Sequence, residues 1–376
     1  MRQDSDPATG PGSAPSAVEI DELLAAGAAA PSSHNSQPWR LRWHEGAVEV
    51  HGDPERMLTV ADPDARELRL ACGAALANVR LTVRGQGRRA HTQVLPDPHD
   101  PWYVGRVRPG APYPPIGWEA ELAAAVRRRH TDRHPFGGRP MSAALRDLLG
   151  RAAGREGCRL VIVDGPDQRR RLRELAAEAH RRQQADPAFV AEWERWIGAA
   201  DRTGDGLPRS HARRAPRPDG VWRLRDHSGA VPTEDRAADA EEPVEEEPTI
   251  AVVGSYDDTR FAHVRAGQAM QQVLLTATAR GLSASFVAPP LEVATTRTQV
   301  RALLGGVLWP QVVLRLGQGR PVYPTPRRTD ASRPTRPSSR SGSAGSVPRT
   351  GPVTDSPGPT PDAPLAPTAS GGCVTT

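Results

Sequence analysis

The sequence predicts an α+β fold, and three observations predict it. Residues 65–84 and 258–280 carry apolar side chains at helical spacing over about five turns or more, long enough for two buried helices. Residues 39–44 and 47–50 alternate apolar and polar side chains around Glu45 and Gly46, which reads as a hairpin. Residues 249–255 and 310–317 are short runs rich in valine, isoleucine and leucine, bounded by Pro, Gly and Ser, the pattern of buried strands.

The remaining elements follow in chain order. Residues 1–15 lack any apolar period and read as a disordered arm. Residues 18–30 form an amphipathic helix with Val18, Ile20, Leu23 and Leu24 on one face, ended by Pro31. The helix at 65–84 is closed by Gly85 and Gly87, and Cys72 within it reads as a small core residue. Strands are expected near 92–95 and 103–107, then a Pro-rich connection at 109–115 and a helix at 118–129. A strand at 159–164 precedes a long helical region, 167–197, broken near Asp186 and Pro187; its many arginines interleave with Glu174 and Glu178 and read as a solvated face. Residues 198–248 lose periodicity and contain the run GDGLP and the acidic stretch 241–247, so they are expected to be a linker or a functional cover. After the helix at 258–280, capped by Gly281, come a strand, a Pro turn, a short helix to Leu304 and the strand at 310–317. Residues 329–376 are Ser, Thr, Pro, Gly and Arg, the composition of a disordered tail.

Composition excludes several chemistries. All 49 basic residues are arginine, so a P-loop lysine, a Schiff-base lysine and a Ser/Lys dyad are absent. A net charge of +5 over 376 residues is no nucleic-acid footprint, and no apolar run reaches the ~18 residues of a membrane span. Three widely spaced cysteines fit neither a disulfide framework nor a zinc site. No secretory leader is visible, and the chain is expected to be cytoplasmic. His130 and His134 stand four apart without a third ligand, so no metal is expected. No G-x-S-x-G elbow accompanies Ser32 or Ser33, which argues against a serine hydrolase.

Two constellations carry chemistry. The first, residues 31–39 (PSSHNSQPW), is a loop of hydroxyl, amide and imidazole groups pinned between a helix and a strand, of the kind that can hydrogen-bond a planar polar ligand. It also reads as a capped helix-to-strand turn. The second is the alternation of Arg129, Thr131 and Arg133 at a helix end, followed by Phe136. Two planar guanidinium forks and a hydroxyl on one side of an extended segment suit a phosphate, although a basic helix terminus is favoured by the helix dipole in any case.

Both constellations resemble the FMN-binding nitroreductase family, with its PSxxNxQPW loop and its basic-x-Ser/Thr-x-basic motif; GQAMQQVLLTATARGL, PPLE, PQVVLRLG and PTPRR extend the likeness to about residue 328. The loop precedes the phosphate motif by about a hundred residues, an order similar to the Acg-type single-chain members found in actinobacteria. The resemblance implies a nitroreductase-like fold of two related halves, 16–115 and 116–328, with 198–248 as an insertion or lid. The halves would imitate the family dimer around one flavin, so a monomer is expected. It implies FMN as cofactor and NAD(P)H as co-substrate, with hydride passing through flavin N5 to a nitroaromatic, a quinone or a similar small acceptor. The alternative is a protein that sequesters FMN with little turnover. Carried over by motif, Ser32, Ser33, Asn35 and Gln37 would contact the ring or ribityl chain, and Arg129, Thr131, Arg133, Arg327 and Arg328 the phosphate. The Leu291 and Glu292 backbone would lie near N5. No residue need act as acid, base or nucleophile, because the flavin carries the chemistry. The lysine that many members place against the ring's pyrimidine edge has no counterpart here.

Overall fold

In a computed structural model, described for residues 14–134, 136–137, 140–197, 204–208, 248–319 and 325–328, two helices of 20 residues cross at the centre. They are α2 (Arg66–Gly85) and, in the numbering below, α7 (Arg260–Ala279). Their backbones touch. A Cβ on Gly73 would stand 2.2 Å from the Val264 carbonyl oxygen, and one on Gly267 would stand 2.1 Å from that of Leu70, so only glycine permits this crossing. Buried amides fix the register: Gln271 donates to Asn78 Oδ1 at 2.7 Å, and Asn78 donates to the Ala26 carbonyl at 2.8 Å.

The first part of the chain runs α1 (Ala17–Ala28), β1 (Trp39–His44), β2 (Ala47–Gly52), α2, β3 (Arg88–Val94) and β4 (Tyr103–Pro112). Ser16 and Glu19 close α1 with a capping box, as a helix starting at that point requires. The four strands form an antiparallel sheet in the order β1-β2-β4-β3. After α3 (Gly117–Ala125), the chain continues α4 (Ala143–Gly154), β5 (Arg159–Ile162), α5 (Pro166–Ala185), α6 (Pro187–Trp196) and β6 (Thr249–Ser255). It ends α7, β7 (Ser283–Phe286), α8 (Pro289–Glu292), α9 (Ala294–Leu303) and β8 (Trp309–Gly317). These strands form a second antiparallel sheet, β5-β6-β8-β7. Both sheets pack on the two central helices, and one cluster of buried residues runs from Leu23 through Leu76 and Val273 to Leu316.

Four expectations are corrected. Residues 109–112 are strand rather than connection, because beyond Val107 strand β4 pairs only with β3, which leaves one edge open for proline. The helix expected at 118–129 stops at Ala125. Helix α4 lies where periodicity predicts nothing; its buried side, Leu149, Ala152 and Ala153, is too small to stand out in sequence, although Ser142 caps it. Arg169 is not on a solvated face: it is buried and donates to the Pro248 carbonyl at 2.9 Å. The break at Asp186 and Pro187 is present, with the Asp186 carboxylate capping α6 through Ala188 N–H at 2.9 Å. Most of the expected arm, most of the insertion with its acidic stretch, and the tail lie outside the described residues. Among the described residues no helix is long and apolar enough to cross a membrane.

Candidate functional site

The loop after α1 is held in a conformation its residues do not favour. His34, Asn35 and Gln37 have φ of 53°, 54° and 49°, the left-handed region, which costs a non-glycine residue roughly 1 kcal/mol or more. Side-chain bonds hold it there. Ser32 Oγ accepts from Gln37 N–H at 2.9 Å. Asn35 Nδ2 donates to the carbonyls of Gly206 at 2.8 Å and Pro326 at 3.1 Å, and Gln37 Nε2 donates to that of Gly204 at 2.8 Å. Arg327 donates to Asn35 Oδ1 at 2.9 Å and to the Ala28 and Ala30 carbonyls at 3.1 Å, while Arg328 N–H donates to Gln37 Oε1 at 3.1 Å. Three segments far apart in sequence, residues 31–39, 204–208 and 325–328, are therefore knotted together. Gly206 has φ +74°, and a Cβ there would stand 2.0 Å from the Trp196 carbonyl oxygen, which is why this position of GDGLP is glycine.

Beneath the knot lies a cavity of about 390 Å³. It gathers Ser32, Ser33, Asn35, Arg129, Thr131, Arg133, Leu291, Glu292 and Arg327 from the sequence-predicted set. Gln37 and Arg328 do not line it. Their polar groups are spent on backbone, Gln37 as above and Arg328 on the Trp39 carbonyl at 2.9 Å, so both act on the shape of the loop.

The cationic wall is the chemically distinctive part. Past α3 the chain straightens, Thr131 bridges in parallel to Ala284, and Asp132 N–H donates to the Ala284 carbonyl at 3.0 Å. That pairing extends the segment and turns Arg129, Thr131 and Arg133 into the cavity. Arg129 is 7% exposed and spends one N–H on the Ala29 carbonyl at 3.2 Å; its Nε, like that of Arg133, has no hydrogen-bond partner. Among the described residues no carboxylate forms an ion pair with Arg129, Arg133 or Arg327. Burial pushes Arg129 down to about 9, with the Arg327 and Arg133 guanidinium groups adding to the effect. Burial likewise pushes Arg133 and Arg327 down to about 10, Arg327 also feeling Arg133. Guanidinium keeps its proton at neutral pH, so the downward direction reflects the cost of desolvating three charges on one wall, offset in part at Arg133 by the Asp132 carboxylate. A phosphate dianion would remove that cost, and the orphaned Nε atoms are donors such a group accepts from.

Elsewhere the wall is apolar or acidic. Leu70, Met270, Leu291 and Val312 form smooth apolar surface. Phe189 and Trp193, one turn apart on α6, and Leu207 of GDGLP close another side. Helix α6 is held there by Glu192, whose carboxylate accepts from Val60 N–H at 3.1 Å and Ala61 N–H at 2.9 Å. Glu67, in the first turn of α2, accepts from Ser33 Oγ and from Arg66 at 3.0 Å. Arg66 also donates to the Gln311 carbonyl at 2.7 Å and the Leu291 carbonyl at 3.4 Å, which ties α2 to α8 and β8. Glu292 accepts from Gln183 at 2.5 Å; burial, then the Glu67 carboxylate, push it up to about 8. Sequence reasoning missed Glu67, Phe189 and Trp193. A Phe–Trp pair at helical spacing in an otherwise charged helix was a visible signal; Glu67 offered none.

Fold and site define a class: an α+β protein whose two antiparallel sheets pack on a central helix pair beside a cavity with a cationic wall. The nitroreductase family model matches residues 126–318. A Mycobacterium tuberculosis protein provisionally named an NAD(P)H nitroreductase, Rv3131, is 34% identical over 319 residues, covering 84% of this chain and 90% of that protein. Another from the same organism, acg, provisionally given the same activity, is 30% identical over 307 residues, covering 80% and 90%. A crystal structure of a Desulfitobacterium hafniense nitroreductase with bound FMN aligns with a TM-score of 0.35 at 16% identity, covering 54% of this chain and 92% of that one. The chain belongs to the nitroreductase family and is an oxidoreductase.

Proposed function

We propose that the chain binds one FMN without a covalent bond and passes a hydride from NAD(P)H to a small planar acceptor such as a quinone or a nitroaromatic. The observation that carries this reading is the trio of Arg129, buried, and Arg133 and Arg327, half-buried, without a paired carboxylate among the described residues and facing one cavity together with Thr131. These four would hold the phosphate. Ser32, Ser33 and Asn35 would contact the ribityl chain or ring, and Leu291 and Glu292 would border the reacting part of the ring. Gln37 and Arg328 would act one step away by holding the loop in its left-handed turns. FMN, when bound, supplies the two-electron chemistry, so the protein's task is to bind, orient and exclude water.

A repeated order of elements on the two sides of the central helix pair supports the reading. Residues 16–115 follow the order helix, two strands, helix, two strands, and the second sheet repeats it as α4, β5, β6, α7, β7, β8, with α5 and α6 inserted between β5 and β6 and α8 and α9 between β7 and β8. The strand orders, β1-β2-β4-β3 and β5-β6-β8-β7, are the same in relative terms. The loop comes from one half and Arg129, Thr131 and Arg133 from the other, so a single chain could furnish a complete site as a monomer. A second reading, an FMN-sequestering protein, is favoured by the knot of 204–208 and 325–328 over the loop and by Phe189 and Trp193 on the cavity wall.

Denaturing the purified protein and chromatographing the released chromophore tests the first reading, with FMN at about one per chain expected. A colourless protein that takes up no added FMN would refute both. Rapid reduction of the bound flavin by NAD(P)H, followed by turnover with a quinone, selects the oxidoreductase; bound flavin that NAD(P)H leaves oxidised selects sequestration.

A further inference from the structure

The acidic part of the cavity wall offers nothing to a phosphate, and its two carboxyls have different surroundings. Glu67 receives the Arg66 guanidinium at 3.0 Å and the Ser33 hydroxyl, a setting that stabilises a carboxylate. Glu292 receives only the neutral Gln183 amide, and among the described residues no arginine forms an ion pair with it. Two carboxyls facing the same cavity cannot both ionise cheaply, so the one without a cation keeps its proton. The same cavity holds the buried, orphaned Nε atoms of Arg129 and Arg133, which mark it as a ligand site independently of the acids.

An acceptor that gains a hydride also needs a proton. We propose that Glu292 is a catalytic residue: it enters the oxidative half of turnover as the carboxylic acid and gives its proton to the acceptor oxygen. This rests on the oxidoreductase reading above. For a quinone, the hydride comes from the reduced flavin and supplies both electrons. The hydride forms an O–H bond at one carbonyl oxygen, that carbonyl's π pair shifts into the ring and the second carbonyl's π pair moves onto its own oxygen; there the Glu292 O–H bond breaks as the new O–H bond forms, and hydroquinone leaves. Glu292 then recovers a proton from water. Glu67 is a positioning residue whose negative charge keeps Glu292 protonated between turnovers.

The groups facing Glu292 are few. They are Glu67 of α2 and Asp62 of the turn before it, with Arg66 of α2 the cation among the described residues; Asp62 accepts the N–H groups of Glu67 and Leu68 at 2.9 Å each. From α5 Gln183 faces it, while Arg182 is turned to Glu178 and Thr295. From α9, Arg297 is bound by Asp258, and from β8 Gln311 donates to Ser255 and Asp258.

The test joins an infrared measurement with stopped-flow kinetics on the full chain. Wild-type protein, flavin-loaded or stripped, should show a protonated-carboxyl C=O component at neutral pH that titrates away as pH rises through about 8 and is missing in Glu292→Gln, beside a component from Asp62, pushed up to about 7 by burial and Glu67, that remains in that variant. In Glu292→Gln loaded with FMN and fully reduced, single-turnover reoxidation by a quinone should be about 100-fold slower at pH 7, a rate read apart from flavin affinity and from the reductive half. In Glu67→Gln, the Glu292 component and the pH profile of reoxidation should both move to lower pH by the same interval. A wild type without the Glu292 component, or a Glu292→Gln protein that is reoxidised like wild type, overturns proton delivery alone. A wild type that holds no FMN, or whose flavin NAD(P)H does not reduce, overturns the parent reading and the delivery step with it. If Glu292→Gln does not fold, Glu67→Gln decides: an unmoved pH profile overturns the proposal.

Discussion

Replacing Arg129 by methionine should have opposite effects on the empty and the loaded protein. Arg129 is 7% exposed, and burial with its cationic neighbours takes it from 12.5 to about 9. At 1.36 kcal/mol per unit that is roughly 4 to 5 kcal/mol held against the charged form, an upper bound. Relaxation and water entry leave about 1 to 4 kcal/mol that a neutral side chain of similar length would recover. The one bond lost, to the Ala29 carbonyl, offsets about 1 kcal/mol of this. Flavin-stripped Arg129→Met is therefore expected to melt a few degrees above stripped wild type, at about 2–4 °C per kcal/mol for domains of 150–250 residues. Affinity for FMN should move the other way. A charge-assisted bond to phosphate contributes roughly 1.5 to 3 kcal/mol, so Kd should rise about ten- to 150-fold and the stabilisation by FMN should shrink. Calorimetric melting of stripped and loaded protein, with fluorescence titration of FMN, measures both. Arg170→Met is the control, because Arg170 is 65% exposed and pairs with Asp167 within its own helix. A stripped Arg129→Met protein that melts lower than wild type while binding FMN equally well would refute the reasoning.

Two further outcomes follow from the fold. Gly73→Ala should lower the melting temperature by the equivalent of about 3 kcal/mol, since its Cβ would lie 2.2 Å from the Val264 carbonyl oxygen and must part the central helices; an unchanged melting curve would show that they do not cross there. Asp258→Asn should cost about 2 kcal/mol at pH 7, because Asp258 accepts from Arg297, His263 and Gln311; these bonds outweigh burial and hold its carboxyl far below the usual carboxylate range. A depressed carboxylate contributes stability that is complete above its unfolded value of 3.8 and lost as pH falls through and below it, so denaturant titrations of the two proteins should converge in acid. A gap independent of pH would mean that Asp258 is not ionised in the fold.

The elements that depend on local pattern were legible in the sequence: both central helices, the hairpin of β1 and β2, the strands β6 and β8, and the break at Pro187 follow from periodicity, glycine and proline. So was the grouping of residues from the loop at 31–39 and of the Arg129, Thr131, Arg133 alternation, because residues of one segment that face the same cavity keep a fixed spacing. Tertiary structure alone decided the rest. Nothing near Gln37 or Arg328 says that their polar groups go to backbone carbonyls and amides nearly 300 residues away rather than to a ligand. Arg169 has the same neighbours in sequence as a solvated arginine, and only the Val163 and Pro248 carbonyls, brought together by the sheet, bury it. Glu67 looks like an ordinary first-turn acid until α8 places Glu292 near it. Periodicity reports which face of one element is buried; which charge meets which depends on how separate elements pack, and a single segment's spacing contains no term for that.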